Sequence, residues 1–355
     1  MHASTSHRKV MKHIAAFALL ATAAVAASAQ SNVTLFGVVD VAARHVKNGD
    51  NTLRSLSGNG LNSSRLGFRG VEDLGGGLKA GFWLEHGFNV DTGTQSDAAR
   101  FWNRRSTVSL SGGFGELRLG RDFTPTYTGF ADYDVFGTNG VADAGKFNSV
   151  LGTNADTATR SDNEVSYFTP GNLGGFRAQV SFAPSEKVAG KKYMGGRVAY
   201  GAGPLDVSLA YGQTTVTPSA GEDKYKFVVL GGSYDFGVAK LTGYVSQAEF
   251  ANLEMQVANI GVQVPLGQGI LRASYIRADA SGRTAAGANT ENNDANQIAL
   301  GYVYNLSKRT ALYTTVARVN NKAGATFVVS GGPALPSPNN GKDSTGVDFG
   351  LRHSF

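Results

Sequence analysis

Apolar and polar positions alternate with a period of two from Val33 to Phe355. Leu66, Phe68 and Gly70 alternate with Arg65, Gly67 and Arg69; Phe176, Ala178, Val180 and Phe182 alternate with Arg177, Gln179 and Ser181. Leu78, Ala80, Phe82 and Leu84 alternate with Lys79, Gly81, Trp83 and Glu85, and the final stretch Val347–Phe355 repeats the pattern. One face is largely apolar and the other polar or small, as in a strand whose two sides meet different surroundings. No stretch of comparable length carries a helical stripe. Alternation alone fits a soluble sandwich as well as a barrel.

The turns discriminate further. Short Gly- or Asn-rich signals occur at Gly75–Gly77, Gly112–Gly115, Gly171–Gly175, Gly201–Pro204, Asp235–Gly237, Pro265–Gly269 and Asn305–Lys308. These seven turns cut residues 30–355 into eight segments, each long enough for two strands of about 10 residues and a loop. The expectation is all-β: a 16-stranded antiparallel transmembrane β-barrel, with short periplasmic turns at one end and long external loops at the other. Closure follows from the bilayer, which offers no partner to an open sheet edge. The third loop, about residues 124–159, is unusually long. A loop of that length needs a function; in a wide barrel it folds inward and narrows the lumen, the alternative being an exposed outer loop.

Composition supports this picture. Gly is 47 of 355 residues, about 13%, against an average of roughly 7%. Charged residues are 17% and cysteines are absent, which excludes disulfide scaffolds, thiolate metal sites and a cysteine nucleophile. Arg8, Lys9 and Lys12 precede the apolar run Ile14–Ala27 and the small residues Ala27-Ser28-Ala29. That is the pattern of a secretory signal peptide over residues 1–29, too short to span a bilayer. Its removal leaves 30 basic and 27 acidic residues, so the formal charge falls from +6 to +3. Nucleic-acid binding then has no compositional support.

The candidate chemistry is electrostatic. Arg65, Arg104, Arg105, Arg118 and Arg160 are candidates for the water-facing wall, with Asp132 and Asp134 of the long loop opposite them. Arg104 and Arg105 are adjacent, so only one shares the lumen face of an ideal strand; Arg118 lies between outward Leu117 and Leu119; Arg160 leads into a strand starting near Asn163. Arginines facing acids across a water-filled neck set up a transverse field that discriminates solutes by charge and size. No GxSxG, HExxH, Walker A or dinucleotide fingerprint is present, and the six His form no metal cluster. The expectation is a protein that is not an enzyme and holds no cofactor or metal.

Five stretches together resemble the general diffusion porins of Gram-negative bacteria: SNVTLFGVVD from Ser31, SSRLGFRGVEDLGGGLKAGFWLE from Ser63, NRRSTVSLSGGFGELRLGRDFTP from Asn103, NEVSYFTPGNLGGFRAQVSF from Asn163, and the terminal VDFGLRHSF. The branch is the beta-proteobacterial one, found in Burkholderia, Bordetella, Comamonas and Neisseria. The resemblance covers residues 31–355. It implies a homotrimer in the outer membrane, each barrel carrying ions and small hydrophilic solutes passively through its own pore. It also implies an inward third loop, contact with lipopolysaccharide, and recognition of Phe355 by the outer-membrane assembly machinery. Within it, Arg65, Arg104 and Arg160 match the family's basic wall positions. The loop reads DYDVFG rather than the enteric PEFGG form, which leaves the acidic partner open between Asp132 and Asp134. A substrate-specific outer-membrane channel is the competing reading.

Overall fold

A computed structural model describes residues 32–217, 223–335 and 341–355. The expected signal segment, residues 1–29, lies outside the described residues. The wall begins with β1 (Asn32–Asn48), β2 (Asn51–Gly58), β3 (Arg65–Gly75), β4 (Leu78–Gly87), β5 (Arg105–Gly112) and β6 (Gly115–Phe123). It continues through β7 (Arg160–Phe168), β8 (Phe176–Ala183), β9 (Lys192–Ala202), β10 (Leu205–Thr217), β11 (Asp223–Asp235) and β12 (Lys240–Phe250). It ends with β13 (Leu253–Leu266), β14 (Gly269–Gly282), β15 (Ala295–Asn305), β16 (Thr310–Asn321) and β17 (Ser344–Ser354).

Apart from β2 and β3, each strand pairs antiparallel with its sequence neighbour, and β1 closes the sheet against β17, from Val38↔Ser354 to Asn48↔Ser344. Seventeen strands make sixteen staves. Both β2 and β3 pair with the same edge of β1, so they are two halves of one stave. The break between them, residues 59–64, is held by Asp40, whose carboxylate accepts from the backbone N–H groups of Gly60, Leu61 and Asn62 and from the Tyr313 hydroxyl. The chain therefore leaves the ladder with its amides partnered, as a buried backbone requires.

All seven expected turns lie at one end. Several use glycines at positive φ, as at Gly75, Gly76 and Gly77 with φ of 84°, 61° and 82°, where a Cβ would be strained. The opposite end departs from the expectation of uniformly long loops. The β1–β2 and β12–β13 connections are two residues each, Gly49–Asp50 and Ala251–Asn252.

The wall is apolar outside; its inner face is polar in part and apolar where residues 124–159 pack on it. On β11, Val228 and Leu230 face out while Tyr225, Phe227, Val229 and Gly231 face in. Val180, Val198, Leu230, Ile260, Ile298 and Phe349 each expose more than half of their surface on the outer face. Such a belt is far larger than a water-soluble surface carries, and it matches the lipid-facing band of a membrane barrel. Among the described residues no helix is long and apolar enough to cross a membrane.

Candidate pore constriction

Residues 124–159, between β6 and β7, match the expected long loop. The loop opens with α1 (Pro125–Ala131), capped by Thr124, whose hydroxyl accepts from Tyr127 N–H, with Pro125 in the first turn. It then runs along the inner wall, fixed by wall side chains. Arg272 donates to Val135 O at 3.2 Å, Gln297 donates to Ala142 O at 2.9 Å, and Asp348 accepts from Val141 N at 3.3 Å. Asp348 is itself clamped by the buried Arg44 at 2.7 and 2.8 Å. The tip joins the break in the second stave, where Gly140 N donates to Asn59 O at 2.9 Å. Phe130, Tyr133, Val135, Phe136, Val141 and Phe147 are buried in the cluster this creates.

On the bare side of the lumen the structure brings three of the expected arginines together, two of them paired with one carboxylate. Arg104 Nε lies 2.5 Å from Glu85 Oε1, and Arg65 Nε lies 3.6 Å from the same oxygen. Arg160 Nε donates to Arg104 O at 2.7 Å, and its guanidinium lies 4.0 Å from the centre of the Phe123 ring. Among the described residues Arg160 has no carboxylate partner. Three cations against one anion leave a local excess of two positive charges, and guanidinium keeps its proton. Arg160 opens β7, three residues earlier than the strand start expected near Asn163. A bulge displaces the register between Gly120 and Asp122, and Asn163 takes a left-handed φ of 57°, which hides the start in the alternation.

The either-or expected for Arg104 and Arg105 does not hold. Arg104 precedes β5 and is free of strand geometry, so both side chains reach inward groups. Arg105 lies 4.4 Å from the Trp83 ring and 3.4 Å from Asp122 Oδ2. Arg118 is inward between outward Leu117 and Leu119, as expected, but Glu116 and Asp122 neutralise it at 2.9 and 2.8 Å. Together with Arg69, set between Phe36 and Trp83, these residues continue a basic, aromatic-backed face toward the tight turns.

The two expected loop acids do not oppose that cluster. Asp132 pairs with Arg197 of β9 at 2.6 Å. Asp134 is buried and accepts from Phe136 N at 3.1 Å and Thr138 N at 2.8 Å. Burial pushes its carboxyl up to about 6, against the lowering effect of those two donors. It therefore ties a loop turn rather than lining water. Burial likewise lowers Lys146 to about 8; its ammonium donates to the carbonyls of Val141 and Asp143 and to Gln297 Oε1.

Glu85, Asp143, Arg197 and Tyr127 belong to the same lumen and were missed. Asp143 shares a cavity of about 350 Å³ with Tyr127, Thr138 and Lys146. The alternation on β4 already put Glu85 on the polar face; nothing in the sequence marked it as the shared partner of two arginines some 20 residues to either side. Arg197 follows two glycines that blur the β9 pattern.

The chain matches the Gram-negative porin family over residues 15–324. It is 41% identical to outer membrane porin protein 32 of Delftia acidovorans, over 97% of this chain and 99% of that protein. It is 31% identical to an outer membrane porin protein of Bordetella pertussis, over 97% of this chain and all of that one. Its barrel superposes on the anion-selective porin from Comamonas acidovorans with a TM-score of 0.82 and 39% identity, covering 92% of this chain and all of that structure. An apolar outer belt, a closed antiparallel wall and these matches have one conclusion: the chain belongs to the Gram-negative porin family and is an outer-membrane β-barrel of the diffusion-channel type.

Proposed function

We propose that this protein is a general diffusion porin that favours small anions. The carrying observation is the cluster of Arg65, Arg104 and Arg160, in which Glu85 pairs with the first two and Arg160 packs onto the Arg104 backbone. A hydrated anion beside it meets a positive field over a polar wall, and a cation meets the opposite. The resemblance to an anion-selective porin supports the same sign. Residues 124–159 are the inward third loop that faces this cluster, and the seven tight turns are the periplasmic end. Solutes move down their gradients, without catalysis and without a bound cofactor. In the same reading residues 1–29 are a signal peptide, the mature chain assembles as a homotrimer in contact with lipopolysaccharide, and Phe355 is presented to the assembly machinery.

Planar-bilayer recording tests the general character. Conductance is expected to rise in proportion to salt concentration and to be indifferent to low concentrations of individual sugars or phosphate. Saturable block by one such solute would instead identify a substrate-specific channel.

A further inference from the structure

Glycine within a strand weakens it, so an inward-facing glycine calls for a reason. Four such residues occur on alternate staves beneath the long loop: Gly231 of β11, Gly261 of β13, Gly301 of β15 and Gly346 of β17. Each is covered by a different side chain of residues 124–159, in sequence order Tyr133, Val135, Phe136 and Val141, and at Gly346 Val329 shares the cover. A Cβ at Gly301 would stand 2.9 Å from Phe136 Cε1, and one at Gly346 would stand 2.7 Å from Val141 Cγ1. At Gly231 and Gly261 it would run still deeper into Tyr133 and Val135. The turn glycines Gly75–Gly77, Gly203, Gly237 and Gly267 differ in kind: a Cβ there meets nothing within 4 Å, and their φ values are positive. The glycine excess thus splits into turn formers and positions of close approach.

We propose that Gly231, Gly261, Gly301 and Gly346 are seats that set how far residues 124–159 stand off the wall, and hence the free cross-section of the channel. This rests on the diffusion-channel reading. Carbon atoms in contact settle about 3.5–4.0 Å apart, so a methyl group at a seat demands a retreat of about 1 Å. The wall cannot give, because the seat is ladder backbone. The loop can move only toward the lumen, against the polar anchors that hold it down. Four residues that touch no solute therefore fix the size limit, while the arginines fix the charge preference. The seats are positioning residues.

The test compares Gly261→Ala and Gly346→Ala with the unmodified protein, each refolded and purified whole. In 1 M salt, where charge effects are screened, single-channel conductance is expected to fall by roughly a quarter or more, with large sugars losing more entry than small ones. Anion preference in dilute salt should be unchanged. The exchange variants Gly261→Ala with Val135→Ala, and Gly346→Ala with Val141→Ala and Val329→Ala, remove the side chains that the new methyl meets and should return conductance to normal. If a single variant fails to fold, its exchange variant decides: folding with normal conductance supports the seats, and folding with reduced conductance overturns them. Folded single variants with unchanged conductance and size limit also overturn them.

A second readout needs no conduction. The chain has no cysteine, and Ser63 Oγ donates to Asn139 Oδ1 at 2.9 Å. The pair Ser63→Cys and Asn139→Cys should cross-link quickly in an otherwise unmodified protein and several-fold more slowly beside Gly346→Ala. Equal rates would overturn the proposal even if the barrel proved non-conducting, which would itself refute only the diffusion-channel reading.

Discussion

Removing the charge of Glu85 while keeping its shape should sharpen anion preference. In Glu85→Gln the cluster loses its one carboxylate, which stands 2.5 Å from Arg104 and 3.6 Å from Arg65. An ion beside Arg104 passes about 6 Å from that carboxylate. At such a distance the interaction of unit charges is about 0.7 kcal/mol in bulk water and about 3 kcal/mol at an effective dielectric constant of 20. The water-filled lumen lies near the first limit. The anion gains and the cation loses that amount, so the unscreened difference is about 1.4 kcal/mol, or tenfold. Screening at 0.1 M roughly halves the interaction, leaving about a fourfold rise in the anion-to-cation permeability ratio; at 1 M almost nothing remains. The assay is the zero-current potential across a bilayer with a salt gradient, measured around both mean concentrations. A ratio unchanged in dilute salt, or changed equally in dilute and concentrated salt, would refute the electrostatic account.

On β8, Val180 faces lipid and Gln179 faces the lumen. Val180→Arg should cost about 2–4 kcal/mol of folding free energy near the bilayer centre, and Gln179→Arg should cost little; urea titration in lipid vesicles measures both, and equal losses would contradict the facing. Asp134 binds its proton more tightly when folded, up to about 6 against an ordinary 3.8, so its stabilising contribution is complete below pH ~3.8 and is lost as pH rises through ~6. With Lys146, Arg272 and Asp143 around it left intact, Asp134→Asn should gain on the unmodified protein by on the order of 2 kcal/mol between pH 4 and pH 7.5. Thermal midpoints at the two pH values report this, and a constant difference between variant and parent would contradict it.

Most of the wall was legible because it follows local rules. Period-two alternation assigned the outward face of Leu117, Leu119, Phe176 and Val180, and every Gly-rich turn signal fell at a real turn. The features that were not legible depend on contacts distant in sequence. The second stave is split where Asp40, itself held by Tyr313 273 positions away, gathers the amides of residues 60–62. Arg160 opens its strand behind a bulge that breaks the alternation. As acids on the long loop, Asp132 and Asp134 are the natural candidates to face arginine; in the folded chain one meets Arg197 and the other the loop's own backbone. Glu85, already on the polar face of β4, proved to be the acid that matters to Arg65 and Arg104. The glycine content was visible as a number, but its division between turns and loop seats appears only when residues 124–159 lie against the wall.

In the proposed function Arg65, Arg104 and Arg160 give the channel its charge preference. This is tested most directly by the zero-current potential of the reconstituted protein in a dilute salt gradient, beside that of the triple variant Arg65→Ala, Arg104→Ala, Arg160→Ala. The account predicts an anion-selective potential for the unmodified channel, and a shift toward or past zero in the triple variant, where Glu85 is left without its cations. A cation-selective unmodified channel, or a triple variant with the same potential as its parent, would contradict it.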